Sequence, residues 1–212
     1  MRNDDLNSKK IIDLISSLPY FKTTDLLSFK NKDYPKIIVS RYSKKGEIIR
    51  LKKGLYISKK YLDVLRREGK LSTYSEFIAN ILCKPSYLSL EYVLAEHNII
   101  TEFTKNFTSV SSIKKTNFSN SLGKFFYHKI KNDLFSGFNV INKDGFIVLK
   151  ATKAKALFDF LYFRKNLLIN RESVRELRIN TEDLLPKEWK ELDKYIAQEG
   201  SKKMREIFNN LK

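Results

Sequence analysis

Apolar residues in the first third of the chain recur at helical spacing and then switch to alternation. Ile11, Ile15 and Leu18 form one stripe with Ile12 and Leu14 beside it, which predicts a helix over Lys9–Leu18. Ser8 is placed to cap it and Pro19 to end it. Thr23 or Thr24 then caps a short second helix carrying Leu26, Leu27 and Phe29. A third helix is predicted from Pro35 to Lys45, with proline in its first turn and Gly46 at its stop. At about 100° per residue, Ile38, Val39 and Tyr42 share one side. Lys36, Ser40, Ser43 and Lys44 share the other, with Arg41 on the flank. Alternation follows: Ile49 and Leu51 around Arg50, then Leu55 and Ile57 around Tyr56. Lys52-Lys53-Gly54 makes the turn of this hairpin, its glycine free to take positive φ.

The polar stretch Arg66-Arg67-Glu68-Gly69-Lys70 marks a boundary, giving domains 1–68 and 69–212. Beyond it, Ser72 caps a helix reaching Cys83, with Phe77, Ile78, Ile81 and Leu82 inward, and Pro85 breaks it. The run from Pro85 to Glu91 starts another helix, with Ser89 as its cap and Glu91 in the first turn, where the helix dipole favours an acid. Phe107–Ile113, Gly123–Ile130, Phe138–Ile141 and Phe146–Lys150 read as strands of a small, mainly antiparallel sheet. A helix over Ala151–Phe163 carries Ala154, Leu157, Phe160 and Leu161 on one stripe, and two charged helices follow at Pro186–Gln198 and Ser201–Leu211. The expected class is α+β: an N-terminal winged helix-turn-helix, then a mixed α/β domain with flanking helices.

Charge sharpens the picture. Lys plus Arg number 41 against 24 Asp plus Glu, a formal net charge of +17. Between residues 30 and 60 there are eleven bases and two acids, so +9 of that surplus falls in 31 residues. A clustered surplus favours a polyanion, because neutralising phosphates releases condensed counterions. The third helix and the hairpin supply the candidate DNA contacts: Lys36, Ser40, Arg41, Ser43, Lys44 and Lys45, then Arg50, Lys52 and Lys53. Short hydroxyls allow close approach to base edges, and the cations suit phosphates and guanine.

Other chemistries find little footing. A single cysteine, Cys83, excludes an internal disulfide and a cysteine-based zinc site, and His97 and His128 lack ligand spacing. No cofactor or metal is expected. Met1–Lys10 does not read as a signal peptide, and no apolar run reaches the ~18 residues of a membrane span, so a cytoplasmic protein is expected. Asp183 with Glu188 and Lys190 faintly suggests a nuclease set, but acids beside Pro186 also suit a helix start. Trp189 reads as a packing anchor. Lys155 and Asp159 read as an i,i+4 ion pair at a helix surface, or as a hydrogen bond to a neighbouring loop. No nucleophile elbow or phosphate loop occurs, so an enzyme is not expected.

Three patches in order carry a resemblance: Gly54-Leu55-Tyr56, then Pro85-Ser86-Tyr87-Leu88-Ser89-Leu90-Glu91, then Lys155-Ala156-Leu157-Phe158-Asp159-Phe160-Leu161-Tyr162. Together they resemble the AbiEi-like antitoxin and transcriptional regulator family of type IV toxin–antitoxin and abortive phage-infection systems, over about residues 8 to 165. The resemblance implies a winged helix that binds repeats in its own promoter, and a C-terminal domain that counteracts a nucleotidyltransferase toxin. It marks Ser86, Tyr87, Ser89, Glu91, Lys155, Asp159 and Tyr162 as motif residues of structural or antitoxin role. Members also occur as stand-alone regulators, and a DNA- or RNA-binding regulator without a toxin is the alternative expectation. Promoter repeats allow side-by-side binding of monomers, and a monomer in solution is expected.

Overall fold

Ile11 and Ile15, one turn apart and fully buried, anchor the first helix, α1 (Arg2–Ile15). The structure is a computed structural model and describes residues 2–26, 34–101 and 105–212. Because α1 begins before the expected start, Ser8 lies within it rather than at its cap, its hydroxyl 3.2 Å from that of Tyr34. A 3₁₀ turn (Thr23–Leu26) follows, in which the Lys22 N–H donates to the Asp25 carboxylate at 2.8 Å. Leu26 is buried there. Leu27 and Phe29 of the expected second helix, with Lys30, Lys32 and Asp33, lie outside the described residues.

Next come α2 (Tyr34–Lys44) and the antiparallel strands β1 (Ile48–Lys52) and β2 (Leu55–Ser58). Gly54 turns the hairpin at φ +79°. A register shift between Arg50 and Lys52 breaks strict alternation, so Ile48 and Leu51 are the buried residues of β1, and Ile49 is only half-buried. Phe21 and Tyr56 exchange both backbone hydrogen bonds at 2.9 Å, adding one bridge beside the hairpin. Their rings stack at 5.8 Å. Ile11, Ile15, Phe21, Leu26, Ile38, Val39 and Ile48 form a single core. The Ser58 hydroxyl accepts the Tyr61 N–H and so caps α3 (Lys59–Arg67). Sequence reading passes over α3 because Leu62 and Leu65, its buried face, are outnumbered by charges.

The rest comprises α4 (Leu71–Leu82), β3 (Ser86–Leu88), α5 (Leu90–Glu96), β4 (Phe107–Ser111), β5 (Thr116–Asn120) and β6 (Gly123–Lys129). After a 3₁₀ turn (Asn132–Leu134) come β7 (Phe138–Lys143), β8 (Phe146–Ala151), α6 (Lys153–Arg164), α7 (Arg171–Arg175), α8 (Pro186–Glu199) and α9 (Lys202–Leu211). Two compact units emerge, 1–75 with 119–122, and 76–118 with 123–212. The division falls within α4, and Ser72 lies in the first turn of that helix rather than at its cap.

The chain is a mixed α+β protein. Its second sheet has six strands in the order β5-β6-β4-β3-β8-β7. β3 pairs antiparallel with β4 and parallel with β8, β4 pairs parallel with β6, and β7 pairs antiparallel with β8. The sheet is therefore mixed and larger than the expected antiparallel one. The difference lies in Ser86–Leu88: expected as a helix start, it is a central strand with all three residues buried. Asn80 of α4 steadies the sheet by strand-like pairing. Its side-chain oxygen accepts the Leu149 N–H at 2.7 Å, and its nitrogen donates to the Leu149 carbonyl at 3.2 Å.

Candidate nucleic-acid interface and the buried motif network

Helix α2 divides its faces by residue type. Pro35, Ile38 and Val39 are buried and Tyr42 is half-buried, while Lys36, Ser40, Arg41 and Lys44 are exposed. Lys45 follows in the turn, exposed, its Nζ 5.3 Å from the Tyr42 ring centroid. Ser43 departs from expectation. It is half-buried, and its Oγ is shielded from solvent with no hydrogen-bond partner among the described residues. Four residues after Val39, it sits at the edge of the inward stripe rather than on the cationic face. On the hairpin, Arg50 and Lys53 are exposed, whereas Lys52 is half-buried and in register with Leu55. The turn is thus Lys53-Gly54, one residue shorter than expected.

An exposed helix face and a hairpin tip with this composition suit a duplex chemically. Cations meet phosphate oxygens as point charges, and an arginine on a helix can pair with a guanine edge. Ile37, which sequence reading passed over, is 53% exposed on the same face.

Three motif residues of the C-terminal unit, Tyr87, Ser89 and Lys155, converge on the carboxylate of a fourth, Asp159. Asp159 and Lys155 of α6 are both fully buried, with Lys155 Nζ 2.9 Å from Asp159 Oδ1. Tyr87 donates to Asp159 Oδ2 at 3.0 Å and Ser89 to the same oxygen at 2.8 Å. Lys155 also donates to the Leu134 carbonyl at 2.7 Å and lies 4.5 Å from the Phe158 ring centroid. The expected i,i+4 pair exists, but in the core rather than at a helix surface. Burial pushes the Lys155 ammonium down from its ordinary pKa and the Asp159 carboxyl up, each opposed by the other's charge. Tyr87 stacks on Phe138 at 4.7 Å.

Ser89 occupies the N-cap position of α5, yet its side chain makes no cap bond because it is committed to Asp159. Thr108 of β4 caps instead, its Oγ1 accepting the Tyr92 N–H at 3.0 Å and donating to the Ser89 carbonyl at 2.7 Å. Leu90 follows at φ +59°, buried, a conformation that costs an L-residue about 1–2 kcal/mol. Ser86 donates to the Cys83 carbonyl. Glu91 pairs with Arg164, whose guanidinium lies 3.8 Å from the Phe160 ring centroid. Tyr162 is half-buried, stacked on Phe158 at 5.7 Å.

A second charged cluster went unread in the sequence. Lys150 of β8 donates to Glu76 at 2.8 Å and to Glu96 at 2.9 Å, and Tyr92 donates to Glu76 at 2.7 Å. Trp189 packs edge-on against Phe208 at 5.9 Å. Among the described residues no group of three or more His, Cys, Asp or Glu is arranged to hold a metal ion. Nor, among them, is any helix long and apolar enough to cross a membrane.

His97 ends α5 and His128 lies on β6, its ring 5.1 Å from Phe163. Burial lowers both pKa values from 6.5, against the raising influence of Glu96 on His97 and of Glu91 on His128. A depressed histidine stabilises the fold above pH 6.5 and loses that contribution as pH falls below it. The melting temperature is expected to drop as pH falls below 6.5, and His128→Gln to reduce the drop. An identical pH profile in the variant would exclude His128 as a source.

No protein-family model matches the chain, and no curated protein matches it significantly.

Proposed function

We propose that the chain is a sequence-specific DNA-binding autorepressor and an antitoxin. Its N-terminal unit acts as a winged helix-turn-helix: α2 enters the major groove and the β1–β2 hairpin is the wing. The observation that carries this reading is the charge between residues 34 and 58, seven bases against one acid, on a helix and hairpin that expose Arg41, Lys44, Lys45, Arg50 and Lys53. The Phe21–Tyr56 bridge supports it by tying the segment after α1 to the hairpin. The C-terminal unit counteracts a nucleotidyltransferase toxin. Support comes from the resemblance, two of whose patches meet through Tyr87, Ser89 and Asp159. A cytoplasmic monomer with no cofactor and no catalytic residue belongs to the same reading.

A lysine-rich surface also meets RNA phosphates, which keeps a stand-alone DNA- or RNA-binding regulator as the second reading. The deciding experiment is a gel shift on the DNA upstream of the gene across a salt series, beside scrambled DNA and structured RNA. Selective, salt-sensitive binding to the upstream DNA is expected. Equal binding to scrambled DNA overturns the repressor, and preference for the RNA moves the assignment to the second reading. Co-expression with a nucleotidyltransferase encoded alongside, if toxic alone, tests rescue by the full chain.

A further inference from the structure

Ile37 is an apolar residue on an otherwise polar and cationic helix face. At about 100° per residue, Lys36, Ser40, Lys44, Ile37 and Arg41 fill one continuous arc of α2 spanning about 140°. All five are exposed, and Ile37 lies on the arc between Lys44 and Arg41 at 53% exposure. Its neighbours are a short hydroxyl and three cations. A stiff, branched hydrocarbon surrounded by groups that seek phosphate suits a partner that is polyanionic at its margins and apolar at its centre. The major groove has that form: phosphates line its walls, and the thymine 5-methyl is the one apolar group on its floor. Ile37 also lies in the first turn of α2, the part of a groove-bound helix that reaches base edges.

We propose that Ile37 reads the 5-methyl group of a thymine in the operator, which makes it a specificity-determining residue. This rests on the DNA-binding reading of α2 above. Lys36 and Lys44, on the same arc, meet phosphates, Ser40 allows close approach, and Arg41 reads the neighbouring base. The contact is dispersive and desolvating. It therefore adds sequence preference without adding salt dependence.

The test is a deoxyuridine scan with the full chain. Each thymine of the protected upstream site is replaced singly by deoxyuridine, which removes one methyl and leaves phosphates and base pairing intact. One or two positions are expected to weaken the unaltered protein by about three- to tenfold. Ile37→Ala should bind the thymine site more weakly by a similar factor and lose sensitivity at those positions. Its salt slope should be unchanged, and Ile37→Val should keep part of the sensitivity. If Ile37→Ala retains the unaltered protein's deoxyuridine profile, or no position responds in either, the inference is overturned while the DNA-binding reading stands. Absence of any preference for upstream over scrambled DNA overturns both.

Discussion

Asp159→Ala is expected to lower the unfolding free energy by about 3–5 kcal/mol, read from denaturant curves at neutral pH. The change leaves the fully buried Lys155 ammonium without its counter-charge and removes the shared acceptor of Tyr87 and Ser89. A surface pair at the same spacing is worth only ~0.3–0.5 kcal/mol, so the magnitude separates the two placements. Asp159→Asn separates charge from hydrogen bonding, since its amide oxygen can still accept from both hydroxyls. Lys155→Met gives a sign test. Without the lysine, burial holds the Asp159 pKa further above its ordinary 3.8, so the variant keeps most stability at low pH and loses it as pH rises towards neutrality. Loss of less than about 1 kcal/mol in Asp159→Ala would mean that the pair is reached by water.

Arg41→Ala combined with Lys44→Ala is expected to weaken binding to the upstream DNA by ten- to several hundredfold at physiological salt. One arginine pairing with a base is worth ~1–3 kcal/mol of discrimination. Removing a cation that neutralises a phosphate also flattens the dependence of log affinity on log salt by about one. Both side chains are exposed on α2, so the fold should survive, and an unchanged melting temperature serves as the control. Affinity and slope equal to those of the unaltered protein would dismiss α2 as the reading helix.

The inward stripe of α1, the two faces of α2, and the spans of α6, α8 and α9 were legible because each rests on local spacing. Gly200 at φ +77° ends α8 and Ser201 caps α9, signals carried by single residues. The cations of the candidate interface were legible for a related reason: an exposed charge needs no partner to be noticed. What escaped depends on distant residues. β3 is three residues long and buried throughout, so it offers no alternation, and its strand character comes from β4 and β8. The cap of α5 comes from Thr108, and the burial of Asp159 is set by strands its own helix pattern does not reveal. Ile49 and Ser43 were misplaced because a register shift and a stripe edge move residues across a face.

The central position of β3 also has a consequence for how the protein is made. Leu88 pairs with Lys150, and Tyr87 and Ser89 wait for a carboxylate 72 and 70 residues further along the chain. At ribosomal rates of about 5–20 residues per second, that is an interval of several seconds. During it the nascent strand can pair on one side only, leaving an apolar edge open to chaperones and proteases. Closing that edge therefore waits for β8, whose Lys150 pairs with Leu88, and the hydroxyls of Tyr87 and Ser89 wait longer still, for α6.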